Sequence, residues 1–287
     1  MASTNTQLMA SVALSRTLRR LREARELKIV QVAEALNVDD STLSRIENAK
    51  RACTKEMFDQ LMELYGIAGD ELAELTDLHA STRERQPTWW SKYDDVISAN
   101  YSRFLGFEAS AAVTYEYQVA LVPGLLQTER YARAVTGVGF ASLGPDQVDG
   151  LTEVRGHRQR LRILETSQPL ECHFVLSEAV LHFEVGGKDV HQEQLQQLHD
   201  LSQRDFIDLR VIPWDRGAEG TQTGAFVVFG FANTDVPDVG FSESVTGMTL
   251  LDDPRDLRRL HRLFRNLSDS ALSAEKTRDL IARVRGD

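Results

Sequence analysis

Residues 16–51 read RTLRRLREARELKIVQVAEALNVDDSTLSRIENAKR. With Leu14 just upstream, the apolar residues fall into three short blocks: Leu14, Leu18 and Leu21; Ile29, Val32, Ala33 and Leu36; Leu43 and Ile46. Within each block they recur three or four residues apart, the spacing of one face of an α-helix. Only Asn37, Val38 and Asp39 join the second block to the third. A connection that short folds two helices into an αα-corner, the helix-turn-helix arrangement. Such a corner can lay one helix across a DNA backbone while the next enters the major groove.

If Leu43 and Ile46 turn inward, the opposite face of the third helix carries Asp40, Ser41, Ser44 and Arg45. A guanidinium can donate two hydrogen bonds to guanine O6 and N7, so Arg45 is the candidate for base readout. Ser41, Thr42 and Ser44 can reach phosphate or a base edge but discriminate weakly between bases. Asp39 is expected to cap the helix by accepting a backbone N–H of its first turn. Lys50 and Arg51, just past the helix end, are placed for phosphate, as a point charge at Lys28 would be. The plain alternative for Lys50 and Arg51 is a solvated charge cluster.

The segments LRRLREAR, VAEALNV and STLSRIENAKR resemble Xre-type (Cro/repressor-like) helix-turn-helix proteins. The resemblance implies a buried structural pair between Arg22 and Glu47; removing one partner of such a pair costs on the order of 3 kcal/mol. The match has departures. Lys28 and Ile29 stand where the family often has Ser-Gln, and Ala49 stands where a glycine usually follows the third helix. Asn48 is therefore expected to take the left-handed conformation. Asp39 and Asp40 also lie close to where phosphates would run, which lowers the expected affinity.

Lys and Arg total 33 against 43 Asp and Glu, so the chain is no general nucleic-acid coat. Residues 16–55 nevertheless hold ten basic and six acidic residues, and residues 87–287 hold 21 and 29. A basic head on an acidic body suits a specific binder. At 287 residues there is chain enough for two domains, and 42% hydrophobic content is ordinary for globular proteins. Cys53 and Cys172 make no disulfide framework and fit a reducing compartment. The N-terminus lacks an apolar signal region, and AFVVFGFA at 225–232 is far too short to span a membrane. These features predict a cytoplasmic protein with no membrane partner.

Thr54 to Tyr65 continues as a helix with Thr54 as its cap and Gly66 as its stop; a fifth helix is expected from Asp70 to His79. Residues 1–80 thus read as an all-α helix-turn-helix domain of five helices. The polar segment 81–88, containing Pro87, reads as a linker. From 89 to 287 helical and alternating patterns mix, giving an α+β domain. WWSKYDDVISANYSRFLGFE (89–108) reads as one helix, followed by a strand in AVTYEYQVAL, where Val113, Tyr115 and Tyr117 share a face. Helices are expected at 127–136, 146–166 and 190–204, and two more between 255 and 285. Further strands are expected in ECHFVLSE, FIDLRVIPW, GAFVVFGF and DVGFSES.

VPGLLQTERYARAV (122–135), RGHRQRLRIL (155–164), LRVIPW (209–214) and GAFVVF (224–229) resemble the domain behind Xre heads in actinomycete WhiJ-like and antitoxin-like regulators. This resemblance runs from about Trp89 to Ile281. It implies a transcriptional regulator whose gene commonly accompanies a small partner protein, and no established ligand.

Enzyme signatures are weak. GFSES at 240–244 lacks the last glycine of a nucleophile elbow, and Gly137-Val-Gly139 is followed by Phe-Ala-Ser, so a dinucleotide fingerprint fails. Cys172, His173, Glu178 and His182 are a tempting metal set, but Cys172 and His173 alternate on a strand and point to opposite faces. No catalytic residue, metal or cofactor is expected. A helix opening behind Pro123-Gly124, with Gln127, Thr128 and Arg130, can hold an anion; alternatively Thr128 caps it while Leu125, Leu126 and Tyr131 pack inward. Arg155, Arg158, Gln159 and Arg160 read as a solvated face or a grip on an acidic partner. Trp89, Trp90 and Trp214 line a pocket or fill the core. The expected partners are double-stranded DNA and a second copy of the chain, with a small molecule or a small protein at the C-terminal domain. The alternative is an antitoxin-like protein that binds chiefly a small partner and uses DNA contact for autoregulation.

Overall fold

The computed structural model describes residues 6–84, 87–139, 143–216, 223–233, 236–244 and 247–286. Residues 85 and 86 of the expected linker, and 140–142 after the Gly137-Val-Gly139 segment, lie outside these. The chain divides into two compact units, one of residues 3–88 with 233–237, the other of 89–232 and 238–287.

The first unit holds helices α1 (Thr6–Ala24), α2 (Ile29–Ala35), α3 (Asp40–Glu47), α4 (Lys55–Leu64) and α5 (Gly69–Ser81). The first four helices stop for one cause. Each of α1 to α4 ends in a Schellman motif, with one left-handed residue reversing the chain. Those residues are Glu26, Asn37, Ala49 and Gly66, at φ of 55°, 52°, 51° and 64°. The paired backbone bonds are present each time; after α3, for example, Lys50 N–H donates to Arg45 O (2.8 Å) and Ala49 N–H to Ile46 O (3.1 Å). The left-handed residue here is Ala49, not Asn48, whose φ is −109°. The motif needs its reversal at the residue after the cap, whichever side chain stands there. Leu14, Leu18, Leu21, Val32, Leu36, Leu43, Ile46, Phe58 and Leu61 close over one core. Burying each such side chain is worth about 1.5–3 kcal/mol relative to leaving it exposed. His79 stacks on Phe58 at 4.5 Å and its Nε2 lies 2.9 Å from Cys53 O.

The second unit is built on a six-stranded mixed sheet. Its strands are β1 (Val113–Gln118), β2 (Glu171–Ser177), β3 (Ile207–Ile212), β4 (Phe226–Gly230), β5 (Val239–Ser244) and β6 (Gly247–Leu251). The order is β3-β2-β1-β4-β5-β6, with β1, β2 and β3 parallel and the rest antiparallel. Parallel neighbours need long crossovers. These are supplied by α7 (Glu129–Gly139) with α8 (Pro145–Gln159) between β1 and β2, and by α9 (Lys188–Leu201) between β2 and β3.

Helix α6 (Ala99–Ser110) covers one face of the sheet, its Phe104 ring 5.1 Å from Phe229 and 5.2 Å from Phe241. Helix α10 (Pro254–Ser270) covers the other, packing Leu257, Phe264 and Leu267 with Tyr117, Val228 and Phe226. A Cβ at Gly240 would lie 2.6 Å from Leu260, so glycine there lets α10 approach the sheet closely. Helix α11 (Ala274–Arg285) follows, its Thr277 hydroxyl accepting from Val211 N–H (3.1 Å).

Three details depart from the expected elements. The segment 89–108 is not one helix: a single turn covers Ser91–Tyr93, and α6 begins afresh where the Ser98 hydroxyl accepts from Tyr101 N–H (3.2 Å). Helix α8 runs on after Gln159 as one wide π-type turn, Arg160–Leu164. Strand β6 is not among the expected strands; it is a five-residue edge strand with no fully buried residue.

Candidate nucleic-acid interface

Helix α3 buries Leu43, Ile46 and Glu47 and exposes Asp40, Ser41 and Arg45, with Thr42 and Ser44 half-buried. Its rotation about its own axis is set by a fork of charge. Arg22 of α1 donates through Nε and Nη2 to the two carboxylate oxygens of Glu47, at 2.7 and 2.9 Å. Its remaining nitrogen donates to Leu27 O at 2.8 Å. Arg22 and Glu47 are only 8% and 5% exposed, so water cannot compete for either. With Glu47 drawn inward, Arg45, two residues earlier on the helix, points to solvent.

The surrounding cations are held unequally. Arg51 donates to Thr42 Oγ1 at 3.0 Å, which ties the segment after α3 back onto the helix. Asn48 Nδ2 donates to Ser44 O at 2.7 Å. Lys28 is exposed at the N-cap of α2, where its ammonium cannot accept a backbone N–H. Gln31 Oε1 accepts from Lys28 N–H instead, at 2.8 Å. Asp39 occupies the N-cap of α3, but its side chain takes no cap hydrogen bond; its backbone carbonyl accepts from Thr42 and Leu43. The Asp39 carboxylate therefore remains in solvent beside Asp40, at the positive end of the helix dipole.

The C-terminal candidates do not form one site. Thr128 Oγ1 accepts from Tyr131 N–H (3.2 Å), and Thr128 N–H donates to the buried Gln194 side chain (2.7 Å). Two of the backbone donors at this helix start are thus spent inside the protein. Gln127 is buried and donates to Val122 O (2.8 Å), whereas Arg130 lies at the surface paired with Glu193 (2.9 Å).

Most of the polar cluster of α8 turns inward rather than standing as a solvated face, with Arg160 half-buried beside His157 Nδ1 at 3.0 Å. Arg158 is clamped on Glu108 at 2.8 and 2.6 Å and on the Tyr101 hydroxyl at 3.1 Å. Arg155 donates to Thr136 Oγ1, and Gln159 donates to the carbonyls of Gly124 and Gln127. Glu108 is the residue that sequence reasoning passes over; its signal is a lone carboxylate among Phe104, Leu105 and Phe107.

Trp90 is core and donates to Ser102 Oγ, Trp89 packs edge-on against it at 5.3 Å, and Trp214 is 60% exposed. Cys172 is buried and His173 faces the other side of β2, stacked on Tyr115. Among the described residues no group of three or more His, Cys, Asp or Glu is placed to hold a metal, and no helix is long and apolar enough to cross a membrane.

A family model described as a helix-turn-helix domain matches residues 13–75, from within α1 to the middle of α5. A second, described as a domain of unknown function (DUF5753), matches residues 101–283. No curated protein and no solved structure matches the chain.

Proposed function

The chain belongs to the DUF5753 family and carries a helix-turn-helix domain ahead of it, and from the surface of α3 we propose a sequence-specific, DNA-binding transcriptional regulator. The observation that carries this reading is the buried Arg22–Glu47 clamp, which leaves Asp40, Ser41, Ser44 and Arg45 outward on α3. Arg45 reads a guanine; Ser41, Thr42 and Ser44 touch phosphate or base edges; Lys28, Lys50 and Arg51 hold the backbone. One such head covers only a short half-site, so the regulator binds as a homodimer with half-sites about 34 Å apart along the duplex. The DUF5753 domain senses a small-molecule ligand, dimerises or holds a small protein partner. The protein acts in the cytoplasm and carries out no catalysis.

Fluorescence anisotropy tests this, titrating full-length protein against the duplex from upstream of its own gene and against a scrambled duplex. Tight binding to the first alone is expected. Arg45→Ala should weaken it by about 1–3 kcal/mol, removing most of the discrimination. Equal binding to both duplexes at every salt concentration would sink the reading.

A further inference from the structure

Helix α10 carries a row of positive charge on its outer face. Arg255, Arg258, Arg259, Arg262 and Arg265 are all exposed. At 100° per residue they fall within an arc of about 120°, and that arc is centred opposite Leu257, Leu260 and Phe264, which meet the sheet. Gly240 and the apolar face hold the helix tightly from behind, so the arginines form a fixed outer row. None of the five makes an ion pair with a described residue. Asp256 lies to one side of the row and Asp269 one turn beyond its end.

Like charges one turn apart disfavour a helix, and a merely solvated face normally mixes signs. Residues 87–287 are acidic, with 21 basic against 29 acidic residues, so the row is a local reversal of sign rather than part of a basic domain. We infer that the outer face of α10 is a second nucleic-acid contact, which grips duplex backbone phosphates without reading sequence.

The dimensions fit. The row is about 15 Å long at 1.5 Å per residue. One DNA strand presents a phosphate every ~3.4 Å of axis, hence about four or five along that length. Guanidinium groups suit such a partner, since each offers a planar fork matched to phosphate oxygens. An acidic protein surface rarely offers charge at that density. The choice of duplex DNA as the polyanion rests on the reading of α3 given above.

The test compares full-length wild type, Arg45→Ala, and the triple variant Arg258→Gln, Arg262→Gln, Arg265→Gln. Each is titrated against the native upstream duplex and the scrambled duplex over a salt series, with polyglutamate as competitor. The substituted side chains are exposed, and circular dichroism checks that the fold is kept. The triple variant should weaken binding to both duplexes equally, by about tenfold or more at low salt. Its slope of log affinity against log salt should be shallower by about 3, at ~0.9 for each phosphate no longer neutralised.

Its native-to-scrambled ratio should stay that of the wild type, because that ratio reports α3 alone. An unchanged salt slope would overturn the inference even if Arg45→Ala abolishes discrimination. A reduced slope with no discrimination in the wild type would leave the α10 contact standing and remove the α3 reading. Competition by polyglutamate as effective as by duplex would also overturn it, since the row would then be a site for acidic polypeptide.

Discussion

Ala49 sits at φ +51° because the Schellman motif ending α3 needs a left-handed residue there. An L-residue with a Cβ pays roughly 1–2 kcal/mol for that conformation, partly offset by its smaller loss of backbone freedom on folding. Ala49→Gly should therefore stabilise the head by about 1 kcal/mol, seen as a higher thermal midpoint; a lower midpoint would refute the strain argument. Arg22 and Glu47 pose the opposite case. Glu47→Ala leaves a buried guanidinium with the Leu27 carbonyl and the largely exposed Glu23 carboxylate at 3.6 Å, and should cost on the order of 3 kcal/mol. The double variant Arg22→Met, Glu47→Leu should recover much of that loss in a denaturant titration, and a double variant worse than the single would contradict it. This pair is legible in the sequence because it lies inside a recognisable motif. The equally buried Arg158–Glu108 pair is not, since its partners are 50 residues apart and no local spacing joins them.

For an element, the ends matter as much as the faces. The first turn of α2 has no side-chain acceptor from its cap, since Lys28 is only a donor, and Gln31 Oε1 accepts from the cap's own N–H. Lys28→Ser should supply that acceptor and remove a cation from the positive end of the helix, stabilising the head by about 1 kcal/mol. If Lys28 also holds a phosphate, the same change should weaken DNA binding and lower the salt slope by about 1. Melting and anisotropy on one variant should thus move in opposite directions, and a loss of thermal stability would contradict the capping argument. Helices and strands with strong periodicity can be read from the chain: β2 and β5 lie within a residue of the expected segments. The break at Ser98 is hidden by aromatic residues on both sides, which continue an apolar pattern across a cap. Edge strand β6 is hidden because it is five residues long and buries none of them fully. The charge row of α10 lies within a predicted helix, but its meaning depends on which face the sheet covers.

Across the molecule, sheet order is a long-range property that no local pattern encodes, and it is what places Glu116 in the interior. Strand β1 lies between β2 and β4, so a carboxyl on its α6-facing side is buried, at 6% exposure. Burial pushes the Glu116 carboxyl up to about 7, and the nearby Glu243 and Glu108 add to this, against the Gln118 amide and Arg158. The unfolded chain releases that proton near the ordinary value of 4.5, whereas the folded chain keeps it until about 7. The contribution to stability is therefore complete below pH 4.5, falls as pH rises to about 7, and stays lost above. The loss is on the order of 3 kcal/mol at ~1.4 kcal/mol per pH unit. Glu116→Gln keeps a neutral hydrogen-bonding group for Gln118, so it should flatten this slope and exceed wild-type stability at about pH 8. The core built around Leu18 and Leu43 shares no residue with the one around Tyr117 and Phe264. Denaturation followed by calorimetry should accordingly resolve two transitions. Glu116→Gln should move only the one belonging to the sheet, and Ala49→Gly only the other. A single transition shifted by both substitutions would show instead that head and sheet unfold as one cooperative unit.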